Sequence, residues 1–317
     1  PPAFKEQEAL INCIEPSPHR PGSAFLAVAR YKFDDFEPLA YVTEDYGKTW
    51  SRITTGIRGE DFVRTVREDP VREGLLYAGT EQGLYLSFDR GQRWLPFQLN
   101  LPRCPITDLA VKGSDLIAAT SGRSIWILDG LEPLRQLDTQ SQQQAFLFDP
   151  APTVRYLAAS SGKAIPGLGQ NPANGMQIGY FLPDNLDSAK LTLEIRDDKG
   201  QLVRSYSNQK TAAKPYPGGP PPKASLTANK GLNIFYWDLR HEPLPGVPDA
   251  FILGNYAGYL AAPGSYTLTL TTPYGVLTAR AEIVTDPRLN ASYGDYEKQQ
   301  AFLKRATALA LETQEAV

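Results

Sequence analysis

Cysteine, histidine and methionine are scarce in this chain, with 2, 2 and 1 among 317 residues. Two cysteines, Cys13 and Cys104, cannot build a disulfide-dense scaffold or a zinc site of the four-Cys type. The histidines, His19 and His241, lie far apart in the chain and leave little material for His-based metal chemistry. No metal and no cofactor is expected. An excess of either charge is also missing, because 32 Lys+Arg stand against 35 Asp+Glu. That balance excludes the electrostatic footprint of a general nucleic-acid binder. There is no long apolar run either. The longest uncharged stretch, Ala250 to Ala279, is broken by Gly254, Gly258, Pro263, Gly264, Pro273 and Gly275. It reads as strands and turns, so no membrane span is expected. Finally, the chain has no G-x-S-x-G elbow, H-E-x-x-H, C-x-x-C or EF-hand loop.

What the chain does have is 27 Pro, 26 Gly and 16 Tyr, a composition of short strands and many turns. It also repeats itself. Ile11–Pro18 aligns without gaps on Val63–Pro70, and Gly22 and Ala24-Phe25 then fall on Gly74 and Leu76-Tyr77. A second signature follows each copy. Thr43-Glu44-Asp45-Tyr46-Gly47-Lys48-Thr49-Trp50 matches Ser87-Phe88-Asp89-Arg90-Gly91-Gln92-Arg93-Trp94. The two offsets differ because of an insertion around Tyr31–Leu39 in the first copy. A third, degenerate copy begins at Ile106 and carries Leu116–Thr120 and Ser124–Asp129, without the second signature.

The shared pattern S/T-x-D-x-G-x-x-W resembles the Asp box, or BNR motif, of sialidase-like and sortilin-like β-propellers. Its physics is local. The carboxylate of Asp45 or Asp89 accepts backbone N–H bonds across a tight turn, and Gly47 and Gly91 supply a positive φ. Trp50 and Trp94 are expected to bury their rings between neighbouring blades. These six residues are read as structural rather than catalytic. The stretch from Asp61 to Leu137 resembles the last blades of large bacterial envelope proteins described as glycosyl-hydrolase-like or sortilin-like. Arg67-Glu68-Asp69-Pro70, Gly74–Glu81 and Gly122–Asp129 carry that likeness. Relatives often place a histidine before the Gly-Arg-Ser step. Here the position is Ser121, so no role resting on that imidazole transfers.

Beyond Pro133 the chain passes through a Gln-rich connector, Gln140–Gln144, into alternating segments. Leu191, Leu193 and Ile195 share one strand face, opposite Thr192, Glu194 and Arg196, and Asp197-Asp198-Lys199-Gly200 reads as a hairpin turn. The spacing predicts a β-sandwich. Gly231–Arg240 followed by Ala262–Leu270 resembles the Ig-like domain first named in flagellar hook-capping proteins, with Trp237 as its core anchor. Ser161–Gly169 lacks the spacing and context of a phosphate loop. Lys214–Lys223 reads as a Pro-rich hairpin insertion or a polyproline ligand. From Asp295 to Val317 the pattern predicts a helix whose stripe, Phe302, Ala306, Leu309, Thr313 and Ala316, packs against the sandwich or another helix.

The fold class expected is therefore all-β: a partial β-propeller of two to three Asp-box blades, an Ig-like β-sandwich and a C-terminal helix. The expected boundaries are 1–138, 139–288 and 289–317. A ring needs about four blades or more, so the repeat count implies further blades in the same or another chain. The paired acids Asp34-Asp35, Glu60-Asp61 and Glu68-Asp69 are adjacent in sequence, and neighbours on a strand point to opposite faces. They do not supply the facing carboxylates of a glycosidase. Glu81 and Arg123 each follow an inner strand end and are the candidate ligand-binding residues; the alternative is an ion-pair role between blades. The function implied is a non-catalytic binding or assembly module with protein or polysaccharide partners. The alternative is part of a glycoside hydrolase, xyloglucanase-like or sialidase-like. The resemblance implies a periplasmic or secreted location.

Overall fold

The computed structural model describes residues 8–137, 144–156, 169, 171–186, 189–209, 216–217, 219–247, 250–251 and 256–316. Most of the Gln-rich connector (140–143), the segment 161–168 and part of the Pro-rich insertion lie outside these residues. The protein is all-β with a C-terminal helix. It divides into two units, residues 1–135 and 136–317.

The first unit is built from three antiparallel meanders. One holds β1 (Leu10–Pro16), β2 (Ala24–Arg30), β3 (Asp35–Thr43) and β4 (Ser51–Arg52). The next holds β5 (Val63–Glu68), β6 (Leu76–Thr80), β7 (Leu84–Ser87) and β8 (Leu95–Pro96). The third has β9 (Ile106–Lys112), β10 (Asp115–Thr120) and β11 (Ile125–Leu128), and the short helix α1 (Glu132–Gln136) follows. The middle sheet is covered on both faces, which is why β6 reads as an unbroken buried run. One face of it packs Leu76, Ala78 and Tyr85 with Phe25 and Ala40 of the first sheet. The other packs Tyr77, Leu84 and Leu86 with Ile106, Leu109 and Leu116 of the third. The opening strands sit side by side: Asn12 Nδ2 donates to Val63 O (3.5 Å), and Arg67 Nε donates to Leu109 O (2.8 Å). Meanders with their first strands gathered together are the arrangement of neighbouring propeller blades.

The second unit is a two-sheet sandwich. A three-stranded sheet is formed by β12 (Phe146–Leu147), β14 (Met176–Leu182) and β17 (Gly231–Trp237). A five-stranded sheet runs β13 (Thr153–Arg155), β19 (Gly275–Thr285), β18 (Gly264–Thr272), β15 (Thr192–Asp197), β16 (Leu202–Ser207). Alternation fills one core: Ile178 and Tyr180 face Leu193, Ile195, Leu268 and Leu270, with Trp237 fully enclosed. The β15–β16 turn is set by Asp197, whose Oδ1 accepts from the N–H groups of Lys199 (3.0 Å) and Gln201 (2.7 Å). Strand β17 stops at Trp237. Asp238 Oδ1 accepts from Arg240 N (3.2 Å) and Leu239 takes φ 57°, which turns the backbone out of the ladder.

Helix α2 (Tyr293–Glu315) opens with a capping box: Ser292 Oγ accepts from Asp295 N, and Asp295 Oδ2 accepts from Ser292 N (2.9 Å). The predicted stripe does not pack against the sandwich. Phe302 is 70 % and Leu309 61 % exposed. The helix docks through the neighbouring face, along Tyr296, Gln300, Leu303, Thr307, Leu311 and Gln314. Tyr296 is buried, Gln299 Oε1 accepts from Arg155 (2.8 Å), and Gln300 Nε2 donates to Leu260 O (2.8 Å).

Candidate functional site

The two turns at 43–50 and 87–94 share one hydrogen-bond scheme. In the first, Thr43 Oγ1 donates to Asp45 Oδ1 (2.9 Å) and accepts from Gly47 N (2.9 Å), while Thr49 N donates to Asp45 Oδ1 (2.8 Å). In the second, Ser87 Oγ donates to Asp89 Oδ1 (2.7 Å) and accepts from Gly91 N (2.9 Å), while Arg93 N donates to Asp89 Oδ1 (2.9 Å). Both turns pass through paired positive φ values, at Tyr46-Gly47 and at Arg90-Gly91. Both also tie back to the β1–β2 or β5–β6 connection, through Tyr46 N to Gly22 O (2.9 Å) and Arg90 N to Gly74 O (3.0 Å).

The tryptophans diverge. Trp94 is buried among the first and second sheets, and its Nε1 donates to Ile53 O (2.7 Å). Trp50 is half-buried and its Nε1 donates to Gly47 O (3.1 Å) within its own turn. The glycines differ likewise. A Cβ on Gly91 would meet Ile53 at 2.8 Å, whereas one on Gly47 would find only ordinary contact with Trp50 at 3.7 Å.

Hydrogen bonding holds the Asp45 carboxyl at about 2. The Thr49 backbone N–H contributes most and the Thr49 hydroxyl next. An aspartate so fully engaged in acceptor bonds is a turn-former.

Glu81 and Arg123 lie at the ends of β6 and β10, and no hydrogen bond or ion pair joins them among the described residues. Glu81 pairs with Arg64 (Nε to Oε2 2.6 Å), and its N–H donates to Phe62 O (3.1 Å). The pair lies within one blade, across β5 and β6. The Arg64 guanidinium lies over the Phe62 ring at 5.0 Å and near the Tyr31 ring at 5.8 Å. Tyr31 and Phe62 stack at 5.0 Å, and Phe36 sits 6.3 Å from Phe62. Phe33 and Phe36, each 44 % exposed, continue this aromatic surface along the 31–39 insertion. Arg123 is exposed, and among the described residues its guanidinium has no ion-pair partner. Its backbone is fixed by Thr120 Oγ1 (3.1 Å to N) and Trp126 Nε1 (2.9 Å to O). Tyr31, Phe62 and Arg64 carry no motif; only their spatial convergence reveals them.

A second charged group lies along the first strands of the blades. Arg67 NH2 bonds Asp108 Oδ1 (2.7 Å), and its NH1 bonds Cys13 Sγ (2.7 Å) and faces Glu15 Oε2 (3.3 Å). Burial raises the Glu15 carboxyl, with Arg67 opposing. One guanidinium thus ties two carboxylates from two blades. The buried acids Asp61, Glu68 and Asp69 are likewise engaged as acceptors. Asp61 takes Tyr85 OH (3.0 Å), Glu68 takes Gly74 N (3.0 Å), and Asp69 takes Arg135 Nε (3.1 Å). Cys13 and Cys104 are both free thiols. Among the described residues there is no cluster of potential metal ligands. No described helix is long and apolar enough to cross a membrane.

No protein-family model matches the chain, and no curated protein matches it. Solved structures similar to parts of it include YCF48 bound to a D1 peptide, at 16 % identity and a TM-score of 0.30, covering 40 % of this chain and 38 % of that one. The GH74 xyloglucanase of Xanthomonas campestris matches at 15 % identity and a TM-score of 0.29, covering 64 % and 32 %. The GH74 enzyme of Niastella koreensis matches at 12 % identity and a TM-score of 0.31, covering 86 % and 46 %. The chain spans less than half the length of each of these three proteins.

Proposed function

We propose that this chain is a non-catalytic binding or assembly module, and that it contacts a protein partner through the strand-end surface of the first unit. One observation carries the reading. The Arg64–Glu81 pair is seated on Tyr31 and Phe62, beside exposed Phe33 and Phe36. Arginine and aromatic side chains together form the composition of protein-binding hot spots. Arg123, at the corresponding strand end of the next blade, adds an uncommitted cation. The glycoside hydrolase alternative asks for two carboxyl groups facing one another across room for a sugar. Glu15 and Asp108 instead share Arg67.

The repeated turns support assignment of the first unit to Asp-box propellers of the sortilin-like kind. The strand order of the second unit is compatible with an Ig-like domain. A periplasmic or secreted location follows from that resemblance.

The test is site-specific photo-crosslinking from positions 36 and 123 in the producing cells. A discrete protein adduct from both positions, weakened by Arg64→Ala, is expected. Absence of any adduct, or release of reducing sugar from polysaccharides by the purified chain, would overturn the reading.

A further inference from the structure

The second unit contains a cavity of about 610 Å³ between the β15–β16 turn, the segment leading into β18, and the first half of α2. That volume lies within the range of small-ligand sites. Its walls are aromatic. The His241 imidazole and the Tyr259 ring stack in near-parallel fashion, 4.0 Å apart and inclined by 23°. Tyr293, 64 % exposed, stands at the start of α2, and Tyr266 and Tyr296 line the interior.

Polar groups of both signs complete the lining: Asp198, Glu297, Lys199 and Lys304. Lys304 Nζ donates to Gln201 Oε1 (3.3 Å), while Asp198 and Glu297 have no ion-pair partner among the described residues. Burial holds the His241 imidazole below its ordinary value, so at neutral pH it adds no charge. Asp197 lies in the same wall, so carboxylates outnumber lysines there. The Tyr296 hydroxyl is enclosed beside the Arg155 guanidinium, which interacts with it and lies over its ring at 5.0 Å.

We propose that this cavity binds a neutral glycan, with pyranose rings lying on Tyr293 and on the Tyr259–His241 stack. The faces of these rings match the C–H face of a pyranose in size and polarity. The carboxylates of Asp198 and Glu297 accept from sugar hydroxyls in charge-assisted bonds. The surplus of carboxylates over lysines disfavours phosphate-bearing or otherwise anionic ligands. The polar rim does not suit an apolar peptide. No bond is made or broken. The site lies within the second unit alone, so it is separable from the protein-contact surface proposed above.

Isothermal titration of the whole chain with cellohexaose, maltohexaose and chitohexaose, each at millimolar concentration, tests this. At least one is expected to bind. Tyr293→Ala should weaken that binding about tenfold or more, as should Asp198→Asn. Tyr274→Ala, at an exposed tyrosine on the far end of β18, should leave it unchanged, as should Arg64→Ala. Circular dichroism establishes that each variant is folded; Tyr293 and Asp198 lie at the surface, so both variants should be. Absence of heat with all three sugars overturns the proposal. So does binding that Tyr293→Ala and Asp198→Asn leave intact, or that Tyr274→Ala weakens equally. Saturable binding of an apolar peptide in place of sugars, abolished by Tyr293→Ala, would also overturn it.

Discussion

Trp50 and Trp94 occupy the same place in one repeated motif and have different energetic roles. Trp94 is 1 % exposed and crosses to Ile53 of the preceding blade. Removing such a ring leaves a cavity and an unpaired Ile53 carbonyl. Trp94→Ala should cost about 3–5 kcal/mol, whereas Trp50→Ala at a half-buried position should cost distinctly less. Urea unfolding of the two variants reads the difference; equal losses would contradict the packing described. Asp45 offers a second check. Its carboxyl is held down by the Thr49 N–H and hydroxyl. A depressed folded-state value means that its contribution to stability is complete above the ordinary aspartate range. The contribution is lost as pH falls towards about 2. A carboxyl-detected NMR titration should place Asp45 at about 2, and Thr49→Val should move it upwards by removing the hydroxyl. A value unchanged by Thr49→Val would show that the hydroxyl bond is unimportant.

At the level of elements, buried ionic contacts connect parts that sequence distance separates. Asp69, completely enclosed after β5, accepts from Val71 N (2.9 Å) and Arg72 N (2.8 Å) of its own turn and from Arg135 of α1. Asp69→Ala strips an acceptor from both turn amides and leaves the nearly buried Arg135 guanidinium with only Glu132 and the Gly113 carbonyl. Breaking such a pair costs about 3–5 kcal/mol, so a large drop in melting temperature is expected. A change below about 0.5 kcal/mol, the ordinary value for a surface substitution, would show that solvent or another acceptor replaces the carboxylate. The acid pairs of the sequence thus have structural uses. Glu68 and Asp69 sit at the end of β5, where the strand gives way to a turn that consumes their oxygens. The helix α2 teaches a related lesson. Its docking side is the one carrying Tyr296, Leu303 and Leu311, where Gln300 bonds Leu260 and the flanking Gln299 and Lys304 bond Arg155 and Gln201.

On the scale of the molecule, each unit has an apolar core of its own, that of the second being built around Trp237, Tyr180 and Leu193. Residues 136–317 expressed alone should therefore give a cooperative thermal transition and strand-dominated circular dichroism; a non-cooperative melt would refute this independence. The all-β class, the repeated turns and the strand faces of the second unit were legible in the sequence because the interactions that make them are local. The Asp-x-Gly turns close their carboxylate and hydroxyl bonds within a few residues, and side-chain alternation follows from backbone pleating alone. The tertiary structure decided what depends on convergence. It placed Arg64 over Phe62 and against Glu81, so that one expected ligand-binding residue is already ion-paired while Arg123, among the described residues, is not. It sent Trp94 between two sheets and set Trp50 against Leu26, Val28, Leu39 and Tyr41 on the other face of the first. It brought His241, Tyr259, Tyr266, Tyr293 and Tyr296 around one cavity from four separate stretches of chain. A sequence records such residues only as scattered letters, since their separation in space is set by packing that no local pattern encodes.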